Sequence, residues 1–260
     1  MIELPKKLKD FDVYLDSPFT IFEKKKILNN DYYQKLFDEF PTENFFENAH
    51  SLGNKKYFND KDEFFDKFLN ESPTWKFFYN YLNSDEFLEQ ILVLCKQNLD
   101  LIEERKKIKN IKIKYEYKKD LISRIIRKIK KKFGYYEARL AFEFSIMKNR
   151  SYIPPHNDTS SKLISLMIYF PDINQDGNEN LGTNFFKNKG NDFNLWKGDM
   201  LDKKNSEIFY DNYEKFYTSR YEKNKIVGFL KSKSSWHDVS KLDINSSSRK
   251  SLNMNLYLID

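Results

Sequence analysis

Between Ala138 and Ile146 the chain beats in twos. Ala138, Leu140, Phe142, Phe144 and Ile146 alternate with Glu137, Arg139, Ala141, Glu143 and Ser145. A two-residue period puts successive side chains on opposite faces of a pleated strand, so this stretch reads as a strand with one face in a core. Leu163–Phe170, Thr183–Phe186, Lys225–Lys231 and Lys250–Ile259 are further short runs bounded by turn residues. Asp172–Asn180 (DINQDGNEN) reads as a turn or loop. Short strands without helices regularly between them predict an antiparallel sandwich or barrel rather than βαβ units.

Ahead of Gly134 the period changes. Asp31–Phe40 and Asp60–Leu69 carry aromatics three and four residues apart, and Ser84–Ile102 is apolar-periodic with Ser84 placed as an N-cap. Lys118–Phe133 is the clearest helix. Leu121, Ile122, Ile125, Ile126 and Ile129 form one stripe, and Gly134 suits the C-terminal cap. The expected fold class is α+β. A mainly helical N-terminal region, 1–134, buttresses a β core, 135–260, which carries an aromatic, charged insertion near 191–222.

Composition narrows the class. Hydrophobic residues make up 40% and aromatics 17%, enough to build a core and too many for a disordered chain. The longest apolar runs, Ile91–Cys95 and Leu163–Phe170, fall well short of the ~20 residues of a membrane span. Residues 1–11 are charged and lack the apolar core of a signal peptide. One cysteine, Cys95, excludes an internal disulfide and cysteine-rich metal chemistry. The expectation is a soluble, cytoplasmic protein without a transmembrane segment.

Two of the three histidines stand in informative company. His156 and Asp158, in Pro154-Pro155-His156-Asn157-Asp158, are two apart and share a face on an extended strand. An imidazole and a carboxylate on one face are two ligands for a divalent metal. His237, in Ser234-Ser235-Trp236-His237-Asp238-Val239, can face that pair if the C-terminal strands close a sandwich. Two His and one carboxylate, with other positions open, suit non-haem Fe(II) oxygen chemistry. Arg249 lies twelve residues beyond His237, at the start of the last strand. Its planar guanidinium suits bidentate capture of a carboxylate, and Ser251 on the same side adds a hydroxyl.

These residues resemble the 2-oxoglutarate/Fe(II)-dependent dioxygenases, in particular the prolyl-4-hydroxylase-like branch. That motif is His-x-Asp, a long gap, a distal His, then Arg or Lys some ten residues on. Here it reads His156, Asp158, His237 and Arg249. Leu163–Phe170 is similar to the strand after the first metal motif, and Leu181-Gly182-Thr183-Asn184-Phe185-Phe186 to a Gly-Gly-x-Thr-x-Phe segment. Leu181 departs from its first glycine and Asn184 from its threonine. The prolyl branch often has Lys where Arg249 stands, and Arg249 with Ser251 looks more like other branches. The resemblance covers about Tyr135 to Asp260.

It implies a double-stranded β-helix (jelly roll) with His156, Asp158 and His237 holding Fe(II). Arg249 and Ser251 would bind the 5-carboxylate of 2-oxoglutarate, with Tyr169 as a further polar contact and Arg139 near cosubstrate or substrate. The implied activity is hydroxylation of a C–H bond of a small-molecule or peptidyl substrate. It uses O2 and is coupled to decarboxylation of 2-oxoglutarate to succinate and CO2.

Other residues read more plainly. His50 has no partner at ligand spacing and reads as a loop residue, and Cys95 as a buried small hydrophobe. Leu101–Phe133 carries fourteen Lys/Arg against four Asp/Glu, although the whole chain stands at only +6. Its isoleucine stripe is expected to pack on the outer face of the β-fold, leaving the lysines solvated. The rival reading is a non-catalytic jelly-roll binding protein whose basic helix contacts nucleic acid or an anionic membrane. A third is a jelly-roll enzyme using another metal without oxygen chemistry.

Overall fold

The structure, a computed structural model, describes residues 2–47, 49–52, 55–99, 102, 105–114, 120–190, 200–244 and 247–259. The N-terminal half contains β1 (Val13–Leu15), β2 (Ile21–Lys25), α1 (Asn30–Asp38), β3 (His50–Leu52) and β4 (Lys55–Asn59). Then come α2 (Glu63–Glu71), α3 (Pro73–Leu82), α4 (Asp85–Gln97), β5 (Asn110–Ile113) and α5 (Leu121–Lys132). The remainder is β6 (Tyr135–Met147), β7 (Ile153–His156), β8 (Lys162–Tyr169), β9 (Asn178–Asn188), α6 (Lys203–Asn212), β10 (Tyr213–Tyr221), β11 (Lys225–Leu230), β12 (His237–Val239) and β13 (Arg249–Leu258).

The strands form two sheets. The nine-stranded sheet runs β1-β2-β11-β8-β13-β6-β4-β3, with β5 added in parallel beside β6. The four-stranded sheet runs β10-β9-β12-β7. From β6 onward the chain passes back and forth between them, so β6, β8, β11 and β13 share one sheet and β7, β9, β10 and β12 the other. Every pairing except that of β5 with β6 is antiparallel.

Alternation on β13 decides what each face of the large sheet does. Leu252, Met254 and Leu256 point to the helical side and join the main core. Arg249, Ser251, Asn253, Asn255 and Tyr257 point toward the small sheet. On β6, Phe142 and Phe144 face the helices. Phe144 meets Trp75 of α3 at 4.8 Å and Phe68 of α2 at 5.0 Å between ring centroids, contacts worth about 0.5–1.5 kcal/mol each beyond burial. The helices therefore cover one face of the large sheet and leave the other free to line a cavity.

Local signals hold where the period is clean. Ser84 caps α4 by accepting from the Phe87 N–H, and Cys95 is fully buried on that helix. Gly134 sits at φ +84°, where a Cβ would press on the Lys107 carbonyl. The N-terminal half also adds β1 to β5 to the large sheet, strands of three to five residues in which no alternation is long enough to register. Within the expected insertion, 191–199 lie outside the described residues. The part from 200 to 222 holds α6 and β10, and bulges between Lys215 and Tyr217 and between Ser219 and Tyr221 break the beat of β10. The end of the expected 172–180 loop is already strand, because Asn178 pairs with Tyr221.

The α5 stripe requires a correction. Residues 101, 103, 104 and 115–119 of the basic segment lie outside the described residues, but 120–133 are described. Leu121, Ile122, Ile125, Ile126 and Ile129 are exposed, whereas Arg127 is buried against β6. The helical side of the sheet is already filled by α1 to α4. What β6 offers α5 is polar: Glu137 takes Lys130 at 3.4 Å, and Tyr136 lies under Lys131.

Candidate metal centre

Pairing of two short strands makes the site. Antiparallel β7 and β12 set His156 directly opposite His237, and the ring centroids lie 4.0 Å apart. Pro154 and Pro155 are tolerated in β7 because it is the edge strand of the small sheet. Asp158 follows β7 at φ +55°, and its Oδ2 lies 3.8 Å from His237 Nε2. One ligand atom from each of His156, Asp158 and His237 lies within 4.8 Å of the others. Three donors that share an ion at bonds of about 2.1 Å lie roughly 3–3.6 Å from one another, so side-chain shifts of about 1 Å would let all three hold one.

Each imidazole is held by its far nitrogen. His156 Nδ1 bonds to the Pro154 carbonyl and His237 Nδ1 to the Ser235 carbonyl, both at 2.9 Å. A carbonyl only accepts, so Nδ1 carries the proton and Nε2 keeps its lone pair, the arrangement a metal-binding histidine needs. Burial lowers both imidazole pKa values, that of His237 to about 3, so both are neutral near pH 7. Burial pushes the Asp158 carboxyl up. The Lys162 ammonium, which donates to Asp158 Oδ1, foremost outweighs it and holds the group below the usual carboxylate range. A neutral pair of imidazoles beside a carboxylate is a donor set that fits a divalent first-row ion.

The triad opens on a cavity of about 540 Å³ between the sheets. Arg249 and Ser251 line it. Arg249 is 3% exposed, and its Nε donates to the Leu181 carbonyl at 2.7 Å. Its outer nitrogens find only the Met147 sulfur at 3.8 Å and the Thr183 hydroxyl at 3.5 Å. Among the described residues no carboxylate is within ion-pair reach of Arg249. A buried cation without a counter-charge is costly, and this one lines the cavity. Ser251 Oγ lies 2.8 Å from Ser145 Oγ and donates to Asn253 Oδ1 at 3.4 Å.

Tyr169 stands behind the cavity wall. It is fully buried, its hydroxyl is 2.8 Å from Thr183 Oγ1, and its ring lies 5.0 Å from the Arg249 guanidinium. Arg139 is engaged elsewhere, donating to Asp60 at 2.7 Å. His50 lies on edge strand β3, exposed and 2.9 Å from Asp62.

The two motif departures have structural work of their own. Leu181 supplies the carbonyl that holds Arg249. Asn184 donates to Asp238 at 2.7 Å and to Ser240 at 2.8 Å while accepting from Thr218, and Tyr210 donates to Asp238 at 2.6 Å. That network ties β9, β10 and α6 to the residue next to His237.

Sequence reading missed Lys162. It lines the cavity and pairs with Asp158 Oδ1 at 2.8 Å, and Asp158 keeps it protonated against the effect of burial. The four-residue spacing of opposite charges was the available signal. Glu143, Asn253, Asn255 and Tyr257 also line the cavity with Lys55, and their signal was the polar half of the β6 and β13 alternation. Lys55 and Asn253 both donate to Glu143, at 2.7 Å and 2.9 Å.

No protein-family profile matches the chain, and no curated protein matches it in sequence. Solved structures do. A prolyl-4-hydroxylase from Pseudomonas putida is 11% identical over 93% of this chain and 94% of its own, with a TM-score of 0.46. HygX from Streptomyces hygroscopicus, solved with nickel, 2-oxoglutarate and hygromycin B, is 10% identical over 92% and 83%, with a TM-score of 0.46. The 2-oxoglutarate-dependent epimerase SnoN of nogalamycin biosynthesis is 11% identical over 91% and 76%, with a TM-score of 0.49. The solved structures this chain is similar to thus include 2-oxoglutarate-dependent non-haem enzymes.

Proposed function

We propose that the protein is an Fe(II)- and 2-oxoglutarate-dependent oxygenase that hydroxylates a C–H bond of a polar substrate. The observation that carries this reading is the pairing, in one cavity, of a His-Asp-His donor set with a buried guanidinium that has no counter-charge among the described residues. A metal site alone fits many chemistries. A metal site facing a buried arginine fits a cosubstrate that chelates at one end and carries a carboxylate at the other. The alternation of β6 to β13 between two sheets supports the jelly-roll reading of the core.

His156, Asp158 and His237 would hold the iron, and Arg249 with Ser251 the cosubstrate's 5-carboxylate. Tyr169 and Thr183 keep the guanidinium in place from behind and beside it. Bound iron with 2-oxoglutarate and O2 supplies the oxidising chemistry, in which the cosubstrate leaves as succinate and CO2 and one oxygen atom enters the substrate. The chain's own residues do the rest. The two backbone carbonyls fix the imidazoles, Lys162 offsets the Asp158 charge, and the buried walls limit water around the reacting centre. Glu143, Asn253, Asn255 and Tyr257 present hydrogen-bonding groups along the same wall, which favours a substrate bearing hydroxyl or amino groups over a purely apolar one.

The test is release of CO2 and succinate from 2-oxoglutarate by purified protein with Fe(II) and ascorbate, with substrate sought as a gain of one oxygen in metabolite and peptide pools. Turnover should vanish in Asp158→Ala. Retained turnover in that variant defeats the ligand assignment.

A further inference from the structure

α5 is amphipathic in the wrong sense for a helix that helps to close a core. Its inward face is polar, with Arg127 buried and Ser123 and Lys131 half-buried against β6. Its outward face is apolar. Leu121 and Ile122 are 70% exposed, Ile125, Ile126 and Ile129 are about half exposed, and Phe133 continues the line at 63%. On a helix these positions fall on one side, three or four residues apart. Cations border the stripe on both flanks: Arg124, Lys128 and Lys132 on one, Lys130 on the other. The helix itself contains no carboxylate. Asp120 is used as its N-cap, accepting from Ser123 N–H, and Glu137 of β6 lies near Lys130.

We infer that α5 docks the protein on an anionic lipid surface. An exposed apolar stripe with cations on both flanks fits a helix lying in the plane of a membrane interface. There the stripe enters the acyl boundary and the cations meet anionic headgroups. The charge pattern selects this occupant. A second copy of the same face would set cation against cation, which opposes pairing. A nucleic acid backbone would satisfy the lysines and leave six apolar side chains in water. The groove of a partner protein would have to be apolar at its floor and acidic along both rims, whereas an anionic membrane interface offers acyl chains beneath a plane of negative headgroups and meets the stripe and both flanks at once. The inference is independent of the metal centre, which α5 does not line.

Full-length protein is sedimented with vesicles of equimolar phosphatidylserine and phosphatidylcholine, and with vesicles of phosphatidylcholine alone. Binding is expected to the first, weaker by an order of magnitude to the second, and progressively lost as salt shortens the screening length from ~10 Å to ~3 Å. Ile125→Glu with Ile126→Glu should abolish binding. Lys128→Gln and Lys132→Gln should each weaken it about fivefold. All four positions are exposed, so circular dichroism and the melting temperature should be unchanged and report that the variants are folded. Equal binding to both vesicle types, or none to either, overturns the inference. So does binding to duplex DNA or to an acidic protein that displaces the vesicles, or a dimer dissolved by the isoleucine variants.

Discussion

Arg249 and Lys162 are both buried cations in the cavity, and they differ in whether the chain supplies the anion. Lys162 has Asp158. Removing one member of a buried pair leaves the other charge uncompensated, at a cost of about 3–5 kcal/mol. Lys162→Met is therefore expected to lower the melting temperature of the metal-free protein, and Ni(II), by supplying positive charge to Asp158, should restore much of the loss. Thermal unfolding with and without the ion checks both halves. Arg249 has no such partner among the described residues, so its removal should behave in the opposite way. Arg249→Met should be at least as stable as the parent without a diacid and should lose the added stability that 2-oxoglutarate gives the parent. In turnover, its KM for 2-oxoglutarate should rise by 30-fold or more, as about 2–5 kcal/mol of charge-pair energy implies. An unchanged KM removes Arg249 from the cosubstrate site.

Among the secondary elements, β9 carries the tightest constraint. A Cβ on Gly182 would fall 2.0 Å from the Ser219 carbonyl of β10, a backbone atom that cannot step aside alone. Gly182→Ala is expected to cost about 1–3 kcal/mol by forcing the β9–β10 pair apart, read in a denaturant titration. Asn184→Ala removes the Asn184 donor from Asp238 Oδ1 and the acceptor of Thr218, and about 1–3 kcal/mol should be lost as the buried carboxylate oxygen goes unpaired. β6 was readable from alternation, and β8, β11 and β13 as short apolar-rich runs bounded by turn residues; β8 and β11 are buried on both faces and show no period of two. β7 and β12 were not readable. Three or four residues, two of them prolines in β7, make no pattern, and these strands exist because β9 pairs with β12 and β12 with β7. α5 was readable as a helix, but not the face it would bury.

For the molecule as a whole, the large sheet separates two interiors. One side is a dry aromatic core under α1 to α4, and the other is a cavity whose polar wall faces the triad. A ligand that binds only the folded state stabilises it by about 2.7 kcal/mol at a hundredfold excess over its Kd. With roughly 2–4 °C per kcal/mol for a chain of this size, saturating Ni(II) should raise the melting temperature by about 5–10 °C. A chelator should reverse that rise, and His237→Ala should show none of it. A shift that persists in the alanine variant places the metal elsewhere.

The chain's local chemistry was enough to single out the candidate site residues. His156, Asp158, His237 and Arg249 stand out by residue type, order and spacing, and periodicity assigned β6 and α5, because backbone geometry imposes period two or 3.6 whatever the rest of the chain does. Convergence was beyond local reading. His156 meets His237 across eighty residues of sequence through a strand register, and Lys162 joins Asp158 by the positive-φ turn between β7 and β8. The outward face of α5 was likewise settled by competition. Four other helices had filled the apolar side of the sheet, and the polar surface left on β6 accepted the charged side of α5.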